Sequence, residues 1–492
     1  MIGGFGNMPD ENKKIKMLIF ADSPSVATGF GKVTKGIFKN LAETGKYEIT
    51  IFGINDRGGW KDPVEHPYKV YPTAGAGSQD IYGFNRLISI LRGKDWEIKI
   101  PWDIVFTLND PFIFEMPLMG YDQGLMHIIK DVLYKLYRET TAPEFWWKLV
   151  SYWPVDSQLK GNWVADAVAL PDYSVAYTKY GVQEIEKANK SLVKPSEIKN
   201  LSYIYHGTDV EDFFGVTPEE KKEFKMKFFK KNNINPDTFI VTCVARNQMR
   251  KDIPRVMKIF REFQKRRPDS FLYIHAKNED AHGSLLEFAR SFGLEQGRDW
   301  TIPSNFNESI GFPVSALNLI YNASDVVIST SHGEGWGLPI TEAMATKTIS
   351  LAPNHTSIRE IFGTEDSDYE DLGNLEKSTT IRGIPIKCGS TTSEWVTYGR
   401  DDYERIRPIA NVDDAVKKLI WIYDNPDKIK VIAERAYNWI QQYSWKNIAQ
   451  QWDELFTKVY QELEEERKTY DPEKQKQKIK ETLKIEEEQK KE

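Results

Sequence analysis

Two separate stretches of this chain alternate short apolar runs with helix-period segments, and no other feature constrains the fold as much. The first stretch starts with the apolar run 16–21, crosses a polar, glycine-containing loop at 23–30, and enters a helix-period segment at 31–44 that stops at Gly45. Further strand-like runs lie at 48–53, 104–108, 149–153, 173–177 and 202–205. The second stretch repeats the pattern, with strands expected at 239–245, 271–275, 299–302, 326–329 and 348–352. Its helices are expected at 254–267, 284–291, 316–322 and 340–345. Strands that are apolar on both sides need cover on both faces, which parallel α/β sheets supply. Two such runs predict two doubly wound, Rossmann-like α/β domains, and 492 residues are more than one core accommodates. The expected boundary lies near 207–235, giving a first domain over 15–210 and a second over 211–440. A polar, glycine-dotted region at 364–407 reads as an insertion in the second domain. Helical pattern returns at 412–423 and 427–464. Residues 1–14 read as a flexible lead-in, and 465–492 as a charged, helical or disordered tail.

Composition narrows the class. Hydrophobic residues make up 40% of the chain and charged ones 28%, which describes a globular protein and not a disordered one. No apolar run reaches the ~18 residues of a membrane-spanning helix. Two distant cysteines, Cys243 and Cys388, point to a reducing compartment and hence to a cytoplasmic location, and neither lies in a metal-binding spacing. A net charge of −6 gives no global attraction to nucleic acid. The aromatic stretch 111–153 includes Phe112-Ile113-Phe114 and Trp146-Trp147. It reads either as core around a helix at 120–138 or as a surface for peripheral membrane contact.

Chemistry concentrates in the string His332-Gly333-Glu334-Gly335-Trp336-Gly337-Leu338-Pro339-Ile340-Thr341-Glu342-Ala343-Met344-Ala345. A buried strand, a glycine turn and a helix start follow one another there. The free N–H groups of a first helical turn and the helix dipole together favour an anion. Pro339 suits the first helical position, where an N–H would be unpaired anyway. Glu334 and Glu342 cannot themselves bind that anion. They must serve another part of the same ligand, and sugar hydroxyls are the natural candidates. A second cationic loop follows the strand at 239–245, with Arg246 and Lys251 five positions apart; spacing alone reads them as ordinary loop cations beside Arg250.

This string resembles the E-G-F-G-L-P-x-x-E-A-M-A signature of the retaining glycosyltransferases of family 4 (glycosyl transferases group 1), which have the GT-B fold. Trp336 stands where the family usually has Phe. Tyr205-His206-Gly207-Thr208-Asp209-Val210-Glu211-Asp212-Phe213 resembles the family's interdomain segment. Tyr443-Ser444-Trp445, with Ile448, Ala449 and Tyr460, is similar to its C-terminal helix, which crosses back to the first domain and here spans 441–464. The resemblance covers about 15–462, strongly in the second half and weakly in the first.

The resemblance implies a GT-B enzyme that moves a sugar, with a hexose expected, from a nucleotide-diphosphate donor to an acceptor hydroxyl with retention of configuration. It implies that Arg246 and Lys251 hold the diphosphate, that Glu334 faces the donor sugar, and that Glu342 binds the ribose. Gly335, Trp336, Gly337 and Leu338 would line the donor, and Gly29 and Gly31 would form the glycine loop opposite. Asp156 stands near the place where many relatives have a His. The co-substrate is a nucleotide sugar such as a UDP- or GDP-sugar, with no other cofactor and no metal required. Asp401-Asp402 falls in the polar insertion and is no convincing metal pair. The acceptor stays open among glycan, lipid, protein and modified nucleic acid. A nucleotide-sugar epimerase, a phosphorylase or an inactive nucleotide-sugar-binding protein of the same fold are the alternatives.

Overall fold

The computed structural model describes residues 13–56, 66–73, 80, 82–99, 101–115, 124–134, 138, 142–232, 234–304, 312–365, 371–389, 394–397, 402–471 and 473. Its first sheet is formed by β1 (Ile15–Asp22), β2 (Tyr47–Ile54), β3 (Lys69–Pro72), β4 (Ile104–Leu108), β5 (Lys148–Trp153), β6 (Tyr173–Ala176) and β7 (Leu201–Tyr203). These strands lie in the order β3-β2-β1-β4-β5-β6-β7, and every pairing is parallel. Six of the eight β1 residues from Met17 to Asp22 are buried without alternation, because helices cover both faces. One cover is α1 (Gly29–Glu43), whose N-cap Thr28 accepts a hydrogen bond from the Gly31 amide at 2.9 Å. Gly29-Phe30-Gly31 therefore forms the first turn of a helix and not the free loop expected. β3 and the helix α2 (Phe84–Leu91) were not legible; each is short and lies among polar residues.

α3 (Lys179–Lys190) joins β6 to β7; the chain then leaves the first sheet at Tyr203 and reaches α4 (Pro218–Phe228). A capping box, Thr217 with Glu220, starts α4. The second sheet comprises β8 (Phe239–Val244), β9 (Ser270–His275), β10 (Trp300–Thr301), β11 (Val326–Ile328), β12 (Ile349–Pro353) and β13 (Ile384–Ile386). Their order is β10-β9-β8-β11-β12-β13, again all parallel. The expected insertion at 364–407 is thus a misreading in part. Its middle supplies the edge strand β13, and its end carries an antiparallel hairpin of β14 (Trp395–Thr397) and β15 (Ile406–Pro408).

The helix expected over 427–464 is two helices. α5 (Pro426–Ile440) ends in a tight turn at Gln441–Tyr443, and α6 (Trp445–Thr469) restarts on the N-cap Ser444. α6 crosses back to the first domain, where Trp452 packs edge-on against Phe106 at 5.4 Å and Tyr152 at 4.9 Å. The crossing is pinned to the interdomain segment, since the Thr208 amide donates to the Tyr443 carbonyl at 2.8 Å. The charged tail does not begin at 464. Arg467 donates to Asp103 at 2.8 Å, and Glu466 pairs with Arg138 and Lys148, so the last turn of α6 is docked. Most of the tail beyond it lies outside the described residues, as do residues 1–12. Trp146 and Trp147 are buried, as are Ile113 and Phe114, which favours core over membrane contact for that stretch. No helix among the described residues is long and apolar enough to cross a membrane.

Candidate active site

Each sheet reverses its winding once, between β1 and β4 in the first and between β8 and β11 in the second. Ligands of open parallel sheets bind outside the strand C-termini at such points. In the second sheet both informative loops leave from this place: 245–252 after β8 and 329–337 after β11. Both sit against the loop that follows β5 in the first domain.

Backbone contact sets how close the two domains come. A Cβ at Gly333 would lie 2.0 Å from the Asp156 carbonyl oxygen, so only glycine allows the approach. The turn then delivers Gly337, with φ of 98°, as the N-cap of α7 (Leu338–Ala345). Leu338 opens this helix and Pro339 is second, one place later than expected. Ser357 and Thr356 hold the turn from behind: the Ser357 hydroxyl donates to the Glu334 carbonyl at 2.7 Å, and the Glu334 amide donates to Thr356 Oγ1 at 3.2 Å.

Four charged side chains meet at this seam. Lys251 Nζ contacts Glu334 Oε1 directly. Arg250 Nη1 donates to the Gly333 carbonyl at 2.9 Å and lies 3.6 Å from Asp156 and 3.9 Å from Glu334. Burial opposes ionisation of Glu334, but Lys251 and Arg250 outweigh it and hold the carboxyl below its usual range. Burial, reinforced by Arg250, lowers Lys251 despite its partner. Asp156 is the hub on the first-domain side, bound by Arg405 and Arg407 at 3.2 Å each. Asp402 in turn holds both of those arginines. Burial again opposes ionisation, and Arg407, Arg250 and Arg405 together pull Asp156 well below the ordinary aspartate range.

The structure distributes the sequence candidates unevenly. Lys251, Glu334 and Asp156 converge. Arg246 points away: it is 64% exposed and bonds Asp280 at 2.8 Å. Glu342 is buried, between Lys32 Nζ at 2.8 Å and the Tyr321 hydroxyl at 2.6 Å. Lys32 belongs to α1, so this pair also bridges the domains. The Trp336 ring faces the interdomain aromatic cluster and stacks on His206 at 5.8 Å; its backbone alone lines the turn. Gly335 lies against Pro154, where an added Cβ would have 3.4 Å of room. Gly29 and Gly31 sit in the first turn of α1, one turn from Lys32.

Sequence reasoning missed Arg250, Lys32, Arg405 and Arg407. Arg250 looked like a spare loop cation. Arg405 and Arg407 sat in a segment read as irregular, and only their alternate spacing next to Asp402 hinted at one strand face. Residues 305–311 lie outside the described residues.

Residues 224–369 match the family model described as Glycosyl transferases group 1. Part of the chain is 31% identical over 156 residues to the serotype-specific mannosyltransferase WbdA of Escherichia coli, a match covering 30% of this chain and 18% of that protein. Another match is 26% identical over 167 residues to the trehalose synthase of Pyrococcus horikoshii, covering 34% and 37%. The chain thus spans well under half the length of these curated relatives. The structure superimposes on Anabaena HepE in complex with UDP and glucose, with a TM-score of 0.60 and 14% identity, over 90% of this chain and all of that one. That likeness establishes the GT-B fold.

Proposed function

Because residues 224–369 match the model of the glycosyl transferases group 1, we propose that this protein transfers a sugar from a nucleotide diphosphate to an acceptor hydroxyl, with retention, as the family 4 enzymes do. The observation that carries the reading is the junction of Lys251, Arg250 and Glu334 at the N-terminus of α7.

A departing diphosphate gathers negative charge while the sugar carbon becomes cationic. Lys251, Arg250 and the positive N-terminal end of α7 stabilise the first. Their present partner, Glu334, is displaced toward the sugar once phosphate takes its place, and accepts hydrogen bonds from sugar hydroxyls. Glu342 reaches the ribose hydroxyls by exchanging Lys32 for them. In the transfer, the bond from the anomeric carbon to the leaving phosphate oxygen breaks. A bond to the acceptor oxygen forms on the same face, and the acceptor proton passes to the leaving phosphate. In this reading Lys251, Arg250 and the helix end supply the positive charge, and a nucleotide sugar is needed with no metal. Of UDP-, GDP- and ADP-sugars, a UDP-sugar has the support of the likeness to HepE, whose solved structure is a complex with UDP and glucose. Proton NMR of the product, formed in excess EDTA, tests the reading. An α-linked product from an α-linked donor is expected; inverted product or an absolute need for added divalent metal contradicts it.

A further inference from the structure

Lys251 and Glu334 have to meet at one point, yet they stand on separate loops that follow different strands, β8 and β11. The backbones of these loops are stapled side by side. The buried Thr330 hydroxyl donates to the Lys251 carbonyl at 3.1 Å and to the Asp252 carbonyl at 2.8 Å. The His332 amide donates to the Arg250 carbonyl at 2.7 Å, and the Arg250 side chain returns a bond to the Gly333 carbonyl.

One further link joins two side chains that the chemistry above does not use. His332 Nε2 lies 3.0 Å from Asp252 Oδ2, with only 5% and 13% of the two side chains exposed. Burial opposes ionisation of Asp252, but the His332 hydrogen bond and the Arg255 charge outweigh it and hold the carboxyl low. An ionised carboxylate only accepts, so Nε2 carries the donated proton.

Asp252 is also unusual as a helix start. It is the N-cap of α8 (Ile253–Gln264), where an aspartate ordinarily has extended backbone and accepts an amide of the first turn. Here φ is 47° and the side chain accepts no capping bond. The carboxylate is given instead to His332 and to Arg255, whose Nε donates at 2.6 Å. A left-handed residue other than glycine persists only where its surroundings hold it. Lys251 ends the short turn Met249–Lys251 directly before this residue, so whatever holds Asp252 also aims Lys251.

We propose that Asp252 and His332 are positioning residues, whose pair keeps the two loops in register and thereby places the Lys251 ammonium where the leaving diphosphate collects charge. Neither side chain touches the donor; both act through Lys251. The inference rests on the donor reading for the identity of the ligand, and on geometry alone for the placement of Lys251.

The test is titration of the full chain with UDP, followed by NMR of the uracil ring protons, in the wild type and in a Lys251→Ala background. Asp252→Gly accepts the left-handed backbone without strain but deletes the link, and His332→Leu deletes it from the other side. Each should weaken UDP binding by about tenfold in the wild type and by less than about twofold in Lys251→Ala, where the effect has nothing to act through. His332→Gln, whose side-chain amide donates to Asp252, should keep most of the wild-type affinity. UDP affinity unmoved by both deletions, or equal losses in the two backgrounds, overturns the proposal. A wild type that binds no UDP contradicts a UDP-sugar donor, and the Lys251 ammonium nitrogen resonance then decides the positioning. A resonance shifted or lost in both deletions supports it, and one unchanged in both overturns it.

Discussion

The two walls of the cleft follow opposite electrostatic designs. The second domain presents Lys251, Arg250 and a helix N-terminus around a glycine turn, with Glu334 as a resident counter-charge. The first domain presents Asp156, which is neutralised by Arg405 and Arg407. Those arginines come from the opposite domain, so the Asp156 cluster holds the walls together and the Lys251 cluster is left for chemistry. The comparison teaches that similar ion pairs a few ångströms apart can have different work. Arg407 has no exposed side-chain surface and two carboxylate partners, whereas Arg246 is 64% exposed and pairs with Asp280. Burial decides which of them carries stability.

The largest expected effect separates the clusters by stability. Arg407→Met should destabilise the protein by about 3 kcal/mol in urea unfolding, because it strands buried charge on Asp156 and Asp402. Little change there would mean the cluster is not a clamp. By contrast, Lys251→Ala leaves Glu334 the nearby Arg250, so it should destabilise less than Arg407→Met while lowering kcat by about 2–4 kcal/mol in activation free energy. Normal turnover would break the assignment of the second wall.

A pH series sharpens the first wall. The Asp156 carboxyl is held low by Arg407, Arg250 and Arg405 against the opposing effect of burial. Its contribution is therefore present above the ordinary aspartate value of about 4 and is lost as pH falls through the lower folded value. The gap in thermal midpoint between wild type and Asp156→Asn should be widest near neutral pH and close below about pH 4. A gap constant across that range would contradict the charge-based account. The smallest effect belongs to Arg246→Ala, whose stability change should stay within about 0.5 kcal/mol. Its turnover loss should be smaller than that of Lys251→Ala; an equal loss would bring Arg246 back beside the diphosphate in the working state.

Legibility followed the same division. The second wall could be read because its function lies in contiguous sequence: strand, glycine turn, proline and two glutamates within one string. Most of the parallel strands, β3 and β13 apart, were readable as unalternating apolar runs, with ends misplaced by a residue or so, as with β12 starting at Ile349. The first wall is assembled from residues brought together by the fold, and nothing local marks Asp156 as the partner of Arg405 and Arg407. Arg405 and Arg407 were lost because a short hairpin in a polar region has no periodicity to see. Trp336 shows the converse: its place in the string suggested a donor contact, yet packing against His206 and Trp439 turns its ring toward the linker.

The most direct test of the central claim is calorimetric titration of the wild type and Lys251→Ala with UDP-, GDP- and ADP-sugars, in EDTA and then with magnesium. One nucleotide sugar should bind the wild type with a Kd in the ~1 μM–1 mM range typical of enzyme substrates, without metal, and should lose affinity in Lys251→Ala. Binding of none of them, or binding that Lys251→Ala leaves unchanged, would contradict a donor site at the junction of Lys251, Glu334 and α7.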